Sequence, residues 1–263
     1  MRSSLKVGAK TAMYNFAIKR LVFIHLEYQI RNKMISNKNS VIEDFYFRHP
    51  FTCMLAGPAQ SGKTTLVQKI ISQAWGGLVR APPTCIIYCY SRWQAAYDEI
   101  KRGRAKGPSS FDGSSIIFNE GLPDLTLVES HANTLVVLDD LMSEAGRDKN
   151  ILNLFTTDSH HKNISIIFVT HNIFSSEKYF RTISLNCQYI IITNNPRDRL
   201  QVTILGKQMF PGDSVFFTKA YNDAVTSKSY GYLLMDFTQL TAEPNRVQTG
   251  VFEGEERIIY RIK

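Results

Sequence analysis

Short apolar runs recur along the chain and alternate with segments whose apolar residues are spaced as in a helix. Strands are predicted at 51–56, 85–90, 134–139, 165–170 and 189–193. Helices are predicted at about 62–74, 93–100, 149–158 and 176–184. Continuous apolar strands that alternate with helices are typical of a parallel sheet covered on both faces. The pattern therefore predicts a doubly wound α/β fold with a mainly parallel sheet and helices on both faces.

The remaining segments predict how the chain is organised around this sheet. Residues 9–35 have the spacing of a basic amphipathic helix. Further strands are predicted at 115–118 and 230–237, and further helices at 124–130 and 212–224. We expect the strand at 230–237 to close the sheet edge. Three regions result, namely a basic N-terminal helical arm at 1–44, the α/β domain at 45–252 and a polar C-terminal tail at 253–263.

A glycine-rich motif of the form G-x-x-x-x-G-K-[ST] lies between the first predicted strand and the first predicted helix. Its glycines let the backbone curl so that successive N–H groups point at a phosphate, and the helix N-terminus adds partial positive charge. The motif indicates a nucleoside triphosphate with Mg²⁺. Lys63 is expected to reach the β- and γ-phosphates, and the Thr64 hydroxyl to bind the metal. The predicted nucleotide-binding residues are Gly57, Pro58, Ala59, Gln60, Ser61, Gly62, Lys63, Thr64 and Thr65.

Two adjacent carboxylates, Asp139 and Asp140, follow the strand predicted at 134–139. Ligands of doubly wound sheets bind at the carboxyl ends of the strands. We assign Asp139 to Mg²⁺ and Asp140 to the orientation of the attacking water. A turn or helix cap after the strand is the structural alternative.

Polar residues also follow the strand predicted at 165–170. His171 and Asn172 are both candidate sensors, because a polar side chain at this strand end can hydrogen-bond the γ-phosphate or the water. The alternative is that they cap the next helix. An arginine acting across a subunit boundary would stabilise transition-state charge, and Arg181, Arg197 and Arg199 are the candidates. The alternative for each arginine is a solvated surface charge.

The charge distribution suggests an anionic partner. The chain of 263 residues has a formal net charge of +8, and residues 1–50 hold nine Lys or Arg against three Asp or Glu. Such an arm suits nucleic acid or a membrane surface, with a solvated flank as the alternative. Residues 101–113 combine four basic residues with glycine, proline and serine. We expect a surface loop there, either a solvated linker or a contact for phosphate backbone.

Cysteine usage and hydropathy indicate the setting. The four cysteines form no C-x-x-C pair and lie in or beside apolar runs, which predicts reduced core residues in an intracellular compartment. No run of about 18 uncharged apolar residues occurs, so no membrane span is predicted.

Four segments together resemble the genome-packaging ATPases of large DNA viruses and Maverick-type elements, among which the poxvirus packaging ATPase is the best known. They are the phosphate loop at 57–65, Leu-Asp-Asp-Leu-Met at 138–142, Val-Thr-His-Asn-Ile-Phe at 169–174 and Asn-Asn-Pro-Arg-Asp at 194–198, followed by Gln201. The similarity spans residues 45–252. It implies the FtsK and HerA superfamily, with a RecA-like P-loop fold, ATP and Mg²⁺ as cofactors, and homo-oligomeric rings that pull double-stranded DNA through a pore.

The resemblance also implies roles for individual residues and a cellular setting. Lys63 and Thr64 would hold the nucleotide and metal, Asp139 and Asp140 would form the acidic pair, and His171 would occupy the sensor position, where many relatives carry Gln. A capsid or portal protein would be the partner, and the host cell or the virion the location. The leading hypothesis is therefore an ATP-driven motor that packages double-stranded DNA. The alternative is a regulatory NTPase switch that acts on a protein partner without moving DNA.

Overall fold

The computed structural model describes residues 44–101, 116–124 and 133–262. The expected N-terminal arm lies outside the described residues except for Asp44. The loop expected at 101–113 and the helix expected at 124–130 also lie outside them, apart from their first residues.

The described residues form strands that agree closely with the apolar runs. The strands are β1 (Phe47–Arg48), β2 (Thr52–Ala56), β3 (Val79–Arg80), β4 (Cys85–Tyr90), β5 (Ile116–Glu120), β6 (Thr134–Asp139), β7 (Ile164–Thr170), β8 (Tyr189–Thr193), β9 (Tyr232–Asp236), β10 (Val247–Thr249) and β11 (Ile258–Tyr260). The helices are α1 (Lys63–Gln73), α2 (Ala95–Lys101), α3 (Met142–Ala145), α4 (Lys149–Asn153), α5 (Ser159–His161), α6 (Phe180–Leu185), α7 (Leu200–Met209) and α8 (Ser214–Thr226). A π-helical turn, Leu154–Asp158, joins α4 to α5.

Nine of these strands form one sheet in the order β11-β10-β9-β8-β2-β7-β6-β4-β5. The six strands from β8 to β5 are parallel, whereas β9, β10 and β11 each run antiparallel to the strand before them in the chain. The predicted doubly wound α/β fold with a mainly parallel sheet is thus confirmed. β2, which leads into the phosphate loop, lies between β7 and β8, so loops that follow three neighbouring strands meet beside it.

Helices cover both faces of the sheet, as the continuous apolar strands predict. Alternate residues of β2 point to opposite sides, so that Leu55 belongs to one buried cluster and Met54 to the other. The Leu55 side packs against α1, whose buried residues Leu66, Val67, Ile70 and Ile71 form one stripe. The opposite side is covered by α6, α7 and α8.

Three expectations about element positions require correction or extension. β9 lies inside the sheet and not at its edge, because β10 and β11 add two further strands beyond it. β11 lies in the segment expected as a polar tail, and it pairs with β10. The helix expected at 176–184 begins only at Phe180, and α7 was not predicted.

None of the four cysteines, all of which lie in the described residues, forms a disulfide, and Cys53, Cys89 and Cys187 are buried. Within the ranges that the structure describes, no helix has both the length and the apolar character needed to cross a membrane.

Candidate nucleotide-binding site

The phosphate loop connects β2 to α1 through two residues with left-handed backbone conformation. Gly62, the N-cap of α1, has φ +90°, and Gln60 has φ +60°. At Gly57 a Cβ atom would overlap the Thr193 hydroxyl at the end of β8. Glycine is therefore required at 57 by close approach and at 62 by backbone conformation.

The Lys63 ammonium lies inside the loop. Its Nζ donates hydrogen bonds of 2.8 Å to the carbonyl oxygens of Gly57 and Pro58. Burial lowers the pKa of Lys63, and the nearby carboxylates of Asp139 and Asp140 oppose this shift. Both carboxylates are therefore near enough to Lys63 to act on its pKa. A phosphate in the loop would replace neutral acceptors of this ammonium by charged ones, which make stronger hydrogen bonds.

Asp139 is buried at the end of β6 and is held by two tyrosines. Its Oδ2 accepts hydrogen bonds from the hydroxyls of Tyr88, at 2.7 Å, and Tyr97, at 2.9 Å. Burial raises the pKa of Asp139, while the two tyrosine hydroxyls and Lys63 act in the opposite direction. Burial is also the main reason why the pKa values of both tyrosines are raised, which keeps their hydroxyls protonated as donors. Neither tyrosine was predicted as a site residue, although a phenol hydroxyl within the apolar run at 85–90 was a usable signal.

Asp140 has a left-handed backbone with φ +60°, which is uncommon for a residue other than glycine. Its Oδ1 lies 2.7 Å from Nε2 of His171, at the end of the neighbouring strand β7. Its Oδ2 accepts a hydrogen bond of 3.3 Å from the hydroxyl of Ser91, which follows β4. The structure thus brings together the predicted Asp140 and His171, and it adds Ser91 to them.

Asn172 faces a different group of side chains. Its Oδ1 accepts a hydrogen bond of 3.3 Å from Nε2 of Gln201, and the same nitrogen donates to Oδ2 of Asp198 at 2.7 Å. Oε1 of Gln201 accepts the backbone N–H of Ile173 at 2.7 Å. Asn172 therefore helps to hold the beginning of α7 against the β7 end, whereas His171 contacts the acidic pair.

The other predicted residues occupy the loop and the surrounding surface. The Ser61 hydroxyl donates to the carbonyl of Pro58 at 2.8 Å and accepts from the Thr193 hydroxyl at 2.7 Å. Thr64 is half-buried in the first turn of α1, and Thr65 is exposed beside it. Ala59 and Gln60 form the exposed tip of the loop.

The three candidate arginines lie on other parts of the surface. Arg181 is exposed on α6, where it lines a cavity of about 760 Å³ with Phe180 and Leu185. Arg199 precedes α7 and donates to Oδ1 of Asn222 at 3.3 Å, and Arg197 lies in the turn before it.

The residues at the loop fit a shared magnesium site. Both tyrosine hydroxyls donate to the same oxygen of Asp139, so Oδ1 would be the oxygen that binds the ion, and Thr64 would supply a hydroxyl. Within the described part of the chain no cluster of three or more His, Cys, Asp or Glu could hold a metal ion. Mg²⁺ binds through one or two protein oxygens together with substrate phosphates and waters, which is the donor set available here.

The sheet order, the loop between β2 and α1 and the acidic pair at the end of β6 give the chain the fold of a P-loop NTPase. No protein-family model matches the chain, and no curated protein sequence matches it. Solved structures do resemble it. The DNA-packaging ATPase of Sulfolobus turreted icosahedral virus is 11% identical, with 76% of this chain and 97% of that chain covered and a TM-score of 0.49.

Two further structures are similar. The genome packaging NTPase of Sulfolobus turreted icosahedral virus 2, in complex with ATP-gammaS, is 12% identical, covers 76% of this chain and 95% of its own, and has a TM-score of 0.45. The flagellar accessory protein FlaH from Methanocaldococcus jannaschii is also 12% identical, covers 56% of this chain and 72% of its own, and has a TM-score of 0.40.

Proposed function

We propose that this chain is an ATPase that uses ATP hydrolysis to drive double-stranded DNA into a viral or virus-like capsid. The proposed ATPase activity rests on one observation, which is that the ends of three neighbouring strands lie together at one edge of the sheet. β2 supplies the phosphate loop, β6 supplies Asp139 and Asp140, and β7 supplies His171, which contacts Asp140 at 2.7 Å. This edge of the sheet thus carries groups that could bind the phosphates, hold the metal and orient the water, which supports the proposal.

Binding of the triphosphate follows from the loop geometry. The Lys63 ammonium lies inside the loop, and together with the backbone N–H groups at the beginning of α1 it would bind the β- and γ-phosphates. Thr64 and Oδ1 of Asp139 would hold Mg²⁺, which when bound neutralises charge on the phosphates. A bound cation would also offset the burial cost of the Asp139 carboxylate, whose pKa is raised by burial in its absence.

Hydrolysis would use Asp140 to orient the water. The water oxygen forms a new bond to the γ-phosphorus while the bond from that phosphorus to the β-phosphate oxygen breaks, giving ADP, phosphate and a proton. His171 fixes Oδ1 of Asp140, so Oδ2 is the oxygen that would accept the hydrogen bond of the water. The left-handed backbone at Asp140 turns the chain at this point, and strain of this kind is common at functional sites.

The coupling to DNA rests on the resemblance and on charge. A net charge of +8 favours an anionic partner, and contacts to phosphates would make binding sequence-tolerant and strongly salt-dependent. The proposal includes a homo-oligomeric ring around the DNA, a capsid or portal protein as docking partner, and action inside the host cell, with Arg181 reaching the site of a neighbouring subunit.

The test is ATP turnover with and without duplex DNA over a range of salt concentrations, with Lys63→Ala as the control for contaminating ATPase. We expect DNA to stimulate turnover at low salt and the stimulation to fall as salt rises. Mass measurement in the presence of ATP should show a ring. A monomeric protein that hydrolyses ATP slowly and whose turnover is not stimulated by DNA would instead support the regulatory switch.

A further inference from the structure

The turn before β9 places an exposed aromatic side chain against the phosphate loop. Tyr230 is 65% exposed, and its side chain lies beside Gly62, the N-cap of α1. A Cβ atom at Gly62 would come within 2.9 Å of the ring Cδ1. The Cδ1 edge of the ring thus occupies the space that a side chain at Gly62 would fill, and most of the Tyr230 side chain faces solvent.

The topology of the sheet explains this position. β9 runs antiparallel to β8, with Tyr232 opposite Thr193. The beginning of β9 therefore lies at the carboxyl end of β8, on the edge of the sheet where the phosphate loop follows β2. Thr193 itself contacts the loop, because its hydroxyl donates to Ser61 at 2.7 Å.

The turn holds Tyr230 in a strained conformation. Its φ is +56°, which is a genuine outlier for a bulky residue. Gly231 must be glycine, because a Cβ atom there would lie 2.5 Å from the carbonyl oxygen of Ala224. Lys228 fixes the other side of the turn through an ion pair of 2.8 Å with Glu255. Backbone strain persists where the surroundings enforce it, and such residues cluster at ligand clamps.

Neighbouring tyrosines have structural tasks that Tyr230 does not share. The hydroxyl of Tyr232 donates to Glu255 at 2.8 Å, and that of Tyr221 donates to the Thr193 carbonyl at 3.1 Å. Both of these side chains are buried, whereas Tyr230 presents its ring to solvent beside the loop.

We propose that Tyr230 is the surface on which the base of the bound nucleotide stacks. This inference deepens the proposed ATP binding and rests on it. A triphosphate held by the loop carries its ribose and base beyond the loop, and the ring beside Gly62 offers an apolar face there. Every base has a π-face, so stacking would favour nucleotides over inorganic triphosphate and would favour the larger purines over pyrimidines.

The test compares the binding of ATP and of inorganic triphosphate by calorimetry, both in excess Mg²⁺. Tyr230→Ala should weaken ATP binding about tenfold, the size expected for one lost stacking contact, and leave binding of inorganic triphosphate unchanged. Tyr230→Phe keeps the ring and should bind ATP like the wild type. Tyr230→Asn suits the left-handed backbone and should behave like Tyr230→Ala, which separates loss of the ring from backbone strain.

Leu240→Ala, at a side chain that is 75% exposed, is the control for a surface truncation and should bind both ligands normally. Equal weakening of both ligands by Tyr230→Ala would overturn the proposal, because Tyr230 would then only brace the loop. Unchanged ATP affinity would also overturn it. A wild-type protein that binds neither ligand would refute the nucleotide site and this inference together, whereas nucleotide binding without DNA stimulation would refute only the motor.

Discussion

Nε2 of His171 lies 2.7 Å from Oδ1 of Asp140, and both side chains are 45% exposed. The contact joins the ends of two neighbouring strands, since β7 pairs with β6 in parallel and Val169 lies opposite Asp139. It engages Oδ1, whereas Oδ2 accepts a longer hydrogen bond of 3.3 Å from the Ser91 hydroxyl and would orient the water molecule with its remaining lone pair. His171 therefore acts on the proposed chemistry through Asp140, and it is a positioning residue in this arrangement.

Removal of the His171 imidazole should lower ATP turnover more than removal of the Asn172 side-chain amide. We expect His171→Ala to reduce kcat about 10- to 100-fold with little change in KM, because a misdirected carboxylate positions the water poorly. Asn172→Ala is the matched control and should stay closer to the wild type, since Asn172 bonds to Gln201. His171→Gln, which keeps a donor toward Asp140, should recover part of the rate. Steady-state kinetics would contradict this assignment if Asn172→Ala caused the larger loss.

Asp140→Asn should separate nucleotide binding from turnover. Asparagine tolerates the left-handed backbone at this position, so the fold should be preserved. Loss of the carboxylate should reduce kcat about 10²- to 10⁴-fold, the range expected for a general base or water-positioning group. ATP affinity, measured by calorimetry, should stay near the wild-type value. Normal phosphate release by this variant would assign the water to another residue.

Asp139→Asn should stabilise the nucleotide-free protein at neutral pH. Burial raises the pKa of Asp139 in the folded protein, so the folded state favours the protonated carboxyl. The protonated carboxyl contributes fully to the free energy of unfolding at pH values below the unfolded pKa of about 3.9. This contribution is lost as pH rises through the higher pKa of the folded state. The neutral amide avoids the cost of the charge and can still accept from Tyr88 and Tyr97.

Thermal melts across pH would check this prediction. The Asp139→Asn variant should melt higher than the wild type at neutral pH, and the difference should shrink as pH is lowered toward the ordinary range of the carboxyl pKa. The same variant should lose the dependence of nucleotide binding on Mg²⁺. A wild type that melts higher than the variant at neutral pH would show that the tyrosine hydrogen bonds outweigh burial of the charge.

Lys63→Ala should abolish most of the affinity for ATP. Lys63 is expected to exchange two carbonyl partners for phosphate oxygens, and two charge-assisted hydrogen bonds of about 1.5 kcal/mol each correspond to about 100-fold in Kd. Lys162→Ala is the matched control, because Lys162 pairs with Asp158 on the surface at 3.0 Å. Calorimetry with ATP and Mg²⁺ should show binding by the control only. Equal ATP affinity in the two variants would refute the loop as the phosphate site.

Strand positions and the phosphate loop could be predicted from local sequence because their signals are local. The run at 134–139 has four successive apolar residues between its first residue and the acid, and the loop motif prescribes its own geometry. Strands β10 and β11 are three residues each and carry no comparable signal. β10 forms because β9 offers it an edge, and β11 then pairs with β10, so both strands depend on the tertiary structure.

The contacts around the acidic pair depend on strand register, which the sequence does not state. Tyr88 reaches Asp139 because β4 lies beside β6 with Tyr90 opposite Asp139. Tyr97 reaches the same oxygen from α2. Tyr230 reaches Gly62 only because β9 runs antiparallel to β8. Side chains that hold a site from other elements of the fold can therefore be found only once the pairing of the strands is known.

Arg181 should act on the nucleotide of a neighbouring subunit, if the proposed ring forms. It is exposed on α6 near Leu185, an apolar side chain that is 70% exposed. Arg181→Ala should bind ATP normally but hydrolyse it slowly, since transition-state charge would lack its partner. Mixing this variant with inactive Lys63→Ala should restore turnover, because an intact loop on one subunit then meets an intact arginine on the next. Mixing Arg199→Ala with Lys63→Ala tests in the same way whether Arg199 acts on the neighbouring nucleotide. Failure of the Arg181→Ala mixture to gain activity, in rings shown by mass to contain both variants, would exclude this arginine.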